Sequence, residues 1–128
     1  LAETGAHLGV SLSWTDDADR AEWEPNAGTV AERVSLLRTA HDAGIRTWVS
    51  VEPVVDSAQA LAVVRELTPW VDEWRVGKLT KHEAAKRVDW RTFTAEVYAL
   101  LRSTGRAYLL KASLAPYLPL SAELRRPA

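Results

Sequence analysis

Arg46-Thr47-Trp48-Val49-Ser50-Val51-Glu52-Pro53 is the stretch on which the fold turns. Its β-branched and aromatic residues favour a strand, and Pro53 suits a strand's end better than its middle. Helical patterns stand on both sides of it. Upstream, Thr29 and Glu32 have the spacing of a capping box. Val30, Val34, Leu37 and His41 then recur on one helical face, and Gly44 takes the place just past a helix end. Downstream, Asp56 or Ser57 caps a second helix, carried by Ala58, Leu61, Ala62 and Leu67 and ended before Pro69. A short strand between two helices is the signature of βαβ organisation.

Reading outward, the same unit repeats. Residues 7–14 alternate Leu8, Val10 and Leu12 with Ser11 and Ser13, the period of two of a strand. A polar stretch, residues 15–28, connects it to the helix after Thr29. A third strand is expected over residues 73–79 and a charged connection over 80–88. Asp89 then caps a helix carrying Trp90, Phe93, Val97, Leu100 and Leu101, which ends at Gly105. A fourth strand covers residues 107–112. The remainder contains Pro116, Pro119 and Pro127 and is expected to form a short turn or helix. Strand starts lie roughly 30 residues apart, the size of a βαβ unit. The order predicts an α/β fold with a parallel sheet and helices packed outside it.

Four parallel strands are thin for a complete protein, whereas a closed barrel of this kind has eight strands in about 250 residues. Half a barrel fits the pattern better than a whole one. The chain has 128 residues, begins at Leu1 and contains no methionine, which adds to the expectation that it is a piece of something larger. Sixteen basic and 17 acidic side chains leave a formal net charge of −1, so no strong field draws nucleic acid or an anionic membrane. The absence of cysteine excludes disulfides, thiolate zinc sites and iron–sulfur ligation within these residues. No apolar run approaches the ~20 residues of a membrane span, no secretory leader pattern occurs, and a cytoplasmic location is expected.

In parallel α/β folds ligands bind beyond the carboxyl ends of the strands. That rule selects Ser11, Ser13 and Trp14 on the first strand, Ser50 and Glu52 on the second, Arg75, Gly77 and Lys78 on the third, and Lys111 on the fourth. Each has an ordinary reading beside the functional one. The serines suit packing, Glu52 suits an ion pair with Arg75 or Lys111, Gly77 suits a close backbone approach, and the lysines suit a solvated rim. Their coincidence at one end of the sheet favours a site. His7, His41 and His82 are scattered, and no spacing suits a metal, so none is expected. Of the six tryptophans, Trp48, Trp74 and Trp90 are expected in the core, while Trp14 and Trp23 flank a loop where they can stack on a ligand. The basic segment 78–91 reads as a solvated connection.

Several of these words, in this order, resemble the second half of the radical S-adenosylmethionine (SAM) superfamily core, in its spore-photoproduct-lyase-like, DNA repair photolyase-like branch. They are Glu24-Pro25, Arg33, His41-Asp42-Ala43-Gly44-Ile45 and Val49-Ser50-Val51-Glu52-Pro53-Val54-Val55. Trp74-Arg75-Val76-Gly77-Lys78-Leu79, Asp89-Trp90 and Tyr108-Leu109-Leu110-Lys111-Ala112-Ser113-Leu114 follow. The resemblance runs over residues 7–115 and implies the C-terminal part of a (β/α)6 partial, TIM-like barrel, residues 1–115, with a tail at 116–128. It implies SAM and a [4Fe–4S] cluster as cofactors, the cluster's Cys-x-x-x-Cys-x-x-Cys loop lying outside this sequence. It implies that Ser11, Ser13, Glu52, Gly77 and Lys78 approach SAM and that Lys111, Trp14 and Arg75 face substrate. The partner it implies is the N-terminal half of the barrel, on the same or another chain, without which this segment is inactive. No catalytic residue is assigned, nucleic acid is not supported by charge, and no membrane is involved. Two other readings remain open: part of a different barrel enzyme, a Schiff-base lyase or hydrolase using Lys78 or Lys111, and a non-catalytic α/β module that binds a partner through Trp14, Trp23 and a sheet edge.

Overall fold

The computed structural model describes residues 5–127; the outer ends of the two expected segments, residues 1–4 and 128, lie outside them. The fold is mixed α/β around one five-stranded sheet. Strands β1 (His7–Ser11), β2 (Arg46–Val51), β3 (Glu73–Val76) and β4 (Ala107–Leu110) are parallel and lie side by side in chain order. A two-residue strand, β5 (Arg125–Arg126), runs antiparallel along the free side of β4.

The helices form where the caps lie. Helix α2 (Val30–Asp42) starts on the Thr29–Glu32 capping box, and Gly44 follows it with φ +79. Helix α3 (Ser57–Leu67) is capped by Asp56, whose carboxylate accepts from the Gln59 N–H. It passes into a 3-10 turn, Thr68–Trp70, that accommodates Pro69. Helix α4 (Trp90–Thr104) is capped by Asp89 and ends on Gly105 at φ +72. Each of these agrees with the sequence pattern to within a residue or two.

Three expectations change. The polar connection after the first strand contains a helix, α1 (Asp17–Trp23), held by the Asp16 carboxylate accepting from the Ala18 and Asp19 N–H groups. Strand β3 stops at Val76 rather than Leu79, and the connection that follows contains a 3-10 helix, Glu83–Arg87. The expected tail returns to the sheet. Ala112–Tyr117 forms a 3-10 helix, and Arg126 donates to the carbonyls of Leu101, Arg102 and Arg106, binding β5 to the C-terminal end of α4. A cation there also complements the negative end of the helix dipole.

Alternation along the strands decides the packing. Thr47, Val49, Val51, Trp74, Val76, Tyr108 and Leu110 point to one face and are buried. They join Leu37 of α2, Leu61 and Val64 of α3, and Phe93, Val97 and Leu101 of α4 in one core. Burying a large apolar side chain contributes about 1.5–3 kcal/mol each. The buried hydroxyls on this strand face are satisfied: that of Thr47 donates to the Trp70 carbonyl and that of Tyr108 to the Glu123 carbonyl, while the Thr47 N–H donates to Asp72. Residues on the opposite face, including Trp48, Ser50, Glu73 and Arg75, are only partly covered. Parallel strands ordinarily carry helices on both faces; the four parallel strands here carry them on one.

Two tests address these interactions. Leu101→Ala removes a fully buried side chain, and urea unfolding is expected to show a loss of about 2–5 kcal/mol. In acid, Asp17 is the informative group. The Arg20 side chain and the Val30 N–H, both hydrogen-bonded to it, hold its carboxyl below the ordinary 3.8. Asp89 is lowered in the same direction by the Thr92 N–H and hydroxyl. Their stabilisation is complete above pH 3.8 and is lost as pH falls through the lowered folded-state values. The melting temperature is therefore expected to drop below that pH, and Asp17→Asn to flatten part of the drop.

Candidate functional site

The partly covered face is ordered in rows, because parallel register aligns residues of like parity. One row crosses the whole sheet: Ser11, Ser50, Arg75, Leu109 and Arg125 are successive partners. The row toward the strand starts is Gly9, Trp48, Glu73 and Ala107. Beyond the strand ends stand Glu52, Gly77 and Lys111, where the Lys111 N–H still donates to the Val76 carbonyl at 2.9 Å.

At that end Lys111 Nζ donates to Glu52 Oε1, and the Ser50 hydroxyl donates to the same oxygen at 3.1 Å. Gly77 lies directly beneath this pair. A Cβ there would meet Lys111 Cδ at 2.9 Å and the Glu52 carboxyl carbon at 3.2 Å. The pair is partly solvated, so it adds little to stability; its effect is to hold a carboxylate and an ammonium over a strand end. A recess of about 370 Å³ opens beside it, between Ser11, Glu52, Pro53 and Lys78.

In the middle of the face the Arg75 guanidinium lies 4.0 Å from the Trp48 ring centroid, and its Nε–H donates to Glu73 Oε2 at 2.7 Å. Trp48 in turn covers Gly9, where a Cβ would fall 1.9 Å from the indole. Glu73 also faces Arg46 at 3.9 Å. A cavity of about 430 Å³ lies over these groups, bounded by Ser11, Ser50, Leu109, Lys111 and Arg125 as well. Arg33 of α2 ties the end of β1 in place: its Nη1 donates to the Ser11 carbonyl at 2.6 Å and its Nε to the Gly28 carbonyl at 3.0 Å, with Glu24 at 3.4 Å.

Of the residues singled out from sequence, Ser11, Ser50, Glu52, Arg75, Gly77 and Lys111 meet on this face. Ser13, Trp14 and Lys78 do not. After Ser11 the chain leaves the strand, so Ser13 is buried and its hydroxyl donates to the Pro53 carbonyl. Trp14 is 2% exposed, stacked on Trp23 at 6.3 Å and packed with Val55 and Ala84. Its ring has no free face for a ligand unless that pair parts. Lys78 has the opposite parity to Gly77. Its Nζ donates to the Tyr117 hydroxyl at 2.6 Å and lies 5.6 Å from the Trp90 ring, leaving only its flank on the smaller recess.

The tryptophan assignment is partly reversed. Trp74 and Trp90 are in the core, but Trp48 is on the partly covered face and Trp14 is buried. Sequence reasoning missed Trp48 and Glu73, although period two places both with Ser50 and Arg75. It also missed Arg125, for which a two-residue strand offers no local signal. Among the described residues no group of three or more His, Asp or Glu side chains is arranged to hold a metal, and no helix is long and apolar enough to cross a membrane. No family model, curated protein or solved structure matches the chain.

Gly77→Ala tests the strand-end arrangement. The new methyl has to displace the Lys111 and Glu52 side chains, both flexible, so the expected loss of stability is small, about 1 kcal/mol. The Lys111–Glu52 contact is expected to open, read as movement of the Lys111 ammonium signal by NMR; an unchanged signal contradicts the placement.

Proposed function

We propose that this chain is the SAM- and substrate-binding part of a radical SAM enzyme, the C-terminal part of a (β/α)6 partial barrel. One observation carries the reading. Four parallel strands follow one another in chain order, carry their helices on one face, and leave the other face partly covered with hydroxyls, carboxylates and cations at the strand ends. In a barrel such a face is the interior, and its strand ends form the ligand side. The family resemblance of the Ser50-Val51-Glu52-Pro53 and Trp74–Leu79 words supports the same placement.

The residues suit SAM in one respect visible in the fold. Gly77 lets the Lys111 and Glu52 side chains close over the strand end, and beside them, next to the open recess, stand a carboxylate and a hydroxyl able to take up an amine or a ribose. Ser50, Glu52 and Lys111 are the residues that would hold it, with Ser11 at the margin. The chain has no cysteine, so it supplies no ligand to a [4Fe–4S] cluster. In this reading the cluster belongs to the other part of the barrel. SAM held by Ser50, Glu52 and Lys111 would supply radical chemistry. This chain's own residues bind and orient: Glu52, shared between Ser50 and Lys111, accepts hydrogen bonds from the ligand, and the face beyond it holds substrate.

Saturation-transfer NMR with SAM tests this directly. Transfer to the ribose and adenine protons is expected in the wild-type chain and is expected to be lost in Glu52→Gln and Ser50→Ala. Absence of transfer to the wild type, or equal transfer to all three proteins, overturns the assignment. In a complete enzyme, release of 5′-deoxyadenosine under a strong reductant is expected to fall at least tenfold in Glu52→Gln, the scale of one lost charge-assisted hydrogen bond.

A further inference from the structure

The middle row of the sheet carries a second device, distinct from the strand-end pair. We infer that Arg75 and Arg125 form a phosphate-binding pair that takes a small phosphate monoester in the cavity over Trp48 and Leu109. The inference rests on reading this face as a ligand face, and it names the chemistry of the ligand.

Arg75 is prepared rather than merely exposed. Gly9 makes room for Trp48, the Trp48 ring lies under the guanidinium at 4.0 Å, and Glu73 accepts from its Nε–H at 2.7 Å. Among the described residues no hydrogen bond uses its two terminal nitrogens, which form the fork that pairs with phosphate oxygens. Stacking and the Glu73 contact restrict the rotamer freedom that an arginine otherwise loses on binding.

Arg125 completes the pair from the other side. It partners Leu109, which partners Arg75, so the two arginines stand two strand spacings apart, about 10 Å between backbones, with an apolar floor between them. Both side chains point to the same face. The alternate residue, Arg126, is bound to α4 and thereby determines which way Arg125 points.

Charge selects a dianion. Arg46, Arg75, Lys111 and Arg125 stand against Glu52 and Glu73, four cations to two carboxylates, a surplus of two. A phosphate monoester carries close to two negative charges near neutral pH, whereas a carboxylate carries one. The cavity, about 430 Å³, is of the size that small ligands occupy rather than a polymer track.

The test is a titration of the whole chain with inorganic phosphate, ribose 5-phosphate, acetate and a single-stranded oligonucleotide, followed by heteronuclear NMR. Phosphate and ribose 5-phosphate are expected to shift the Trp48 indole and the Arg75 Nε–H signals, and acetate is not. Arg75→Gln and Arg125→Gln are each expected to weaken ribose 5-phosphate binding about tenfold. Arg75→Lys is expected to do nearly the same, since it keeps the charge and loses the fork. Arg91→Gln, on the exposed side of α4, is expected to change nothing. Thermal melts of each variant confirm the fold, and the exposed Arg125 carries the test if Arg75 variants unfold. Equal binding by wild type and Arg125→Gln, binding of acetate as tight as phosphate, or binding of the oligonucleotide alone overturns the inference. Phosphate binding without SAM binding sinks the proposed function and leaves this inference standing; the reverse result sinks this inference alone.

Discussion

Side-chain alternation along a parallel sheet is the constraint on which the rest of this molecule depends. Successive residues of a strand point to opposite faces, and parallel register carries like parity across every strand. Here the even-handed split is chemical as well as geometric. One parity, Val49, Val51, Trp74, Val76 and Leu110, is apolar and is sealed by α2, α3 and α4. The other, Trp48, Ser50, Glu73, Arg75 and Lys111, is polar or amphipathic and stays accessible. Because a residue can change face only if the register slips, packing the core also assembles the polar rows. The candidate site is thus a consequence of the hydrophobic face, built on the same backbone.

The two edges of the sheet are treated differently. At β4, the free edge is covered by β5, held there by Arg126 against the α4 C terminus and by the Leu110 N–H donating to the Leu124 carbonyl. At β1, pairing is seen only with β2 among the described residues. An antiparallel strand beside β4 blocks the addition of a further parallel strand at that position. Any extension of the parallel array has to occur at β1.

The aromatic residues illustrate how far local reading reaches. Trp48 and Trp74 each sit inside a short expected strand, and both read as core. Parity relative to the buried set separates them: Thr47 and Val49 flank Trp48 and are buried, so Trp48 faces the other way. That information was present in the alternation once the register was known. Lys78 and Gly77 show the same rule, adjacent in sequence and opposed in space. Arg125 was beyond such reasoning, because its position depends on a chain return of some fifteen residues with no periodic pattern. Trp14 was misread for a related reason: a loop tryptophan flanked by polar residues was sequestered by α1, a helix of only seven residues whose cap at Asp16 lies in a stretch that otherwise looks like loop.

The sequence by itself determined the order of the four parallel strands and of the long helices between them, the helix starts at Thr29, Asp56 and Asp89, and the gathering of Ser50, Glu52, Gly77 and Lys111 at one end. Capping and period-two alternation are local, and they need only a few neighbouring residues to be read. The tertiary structure alone decided which parity is buried at Trp48, that Glu52 pairs with Lys111 rather than Arg75, and that Arg125 joins the row of Arg75. Those outcomes depend on register and on contacts between residues far apart in the chain, which no local pattern encodes.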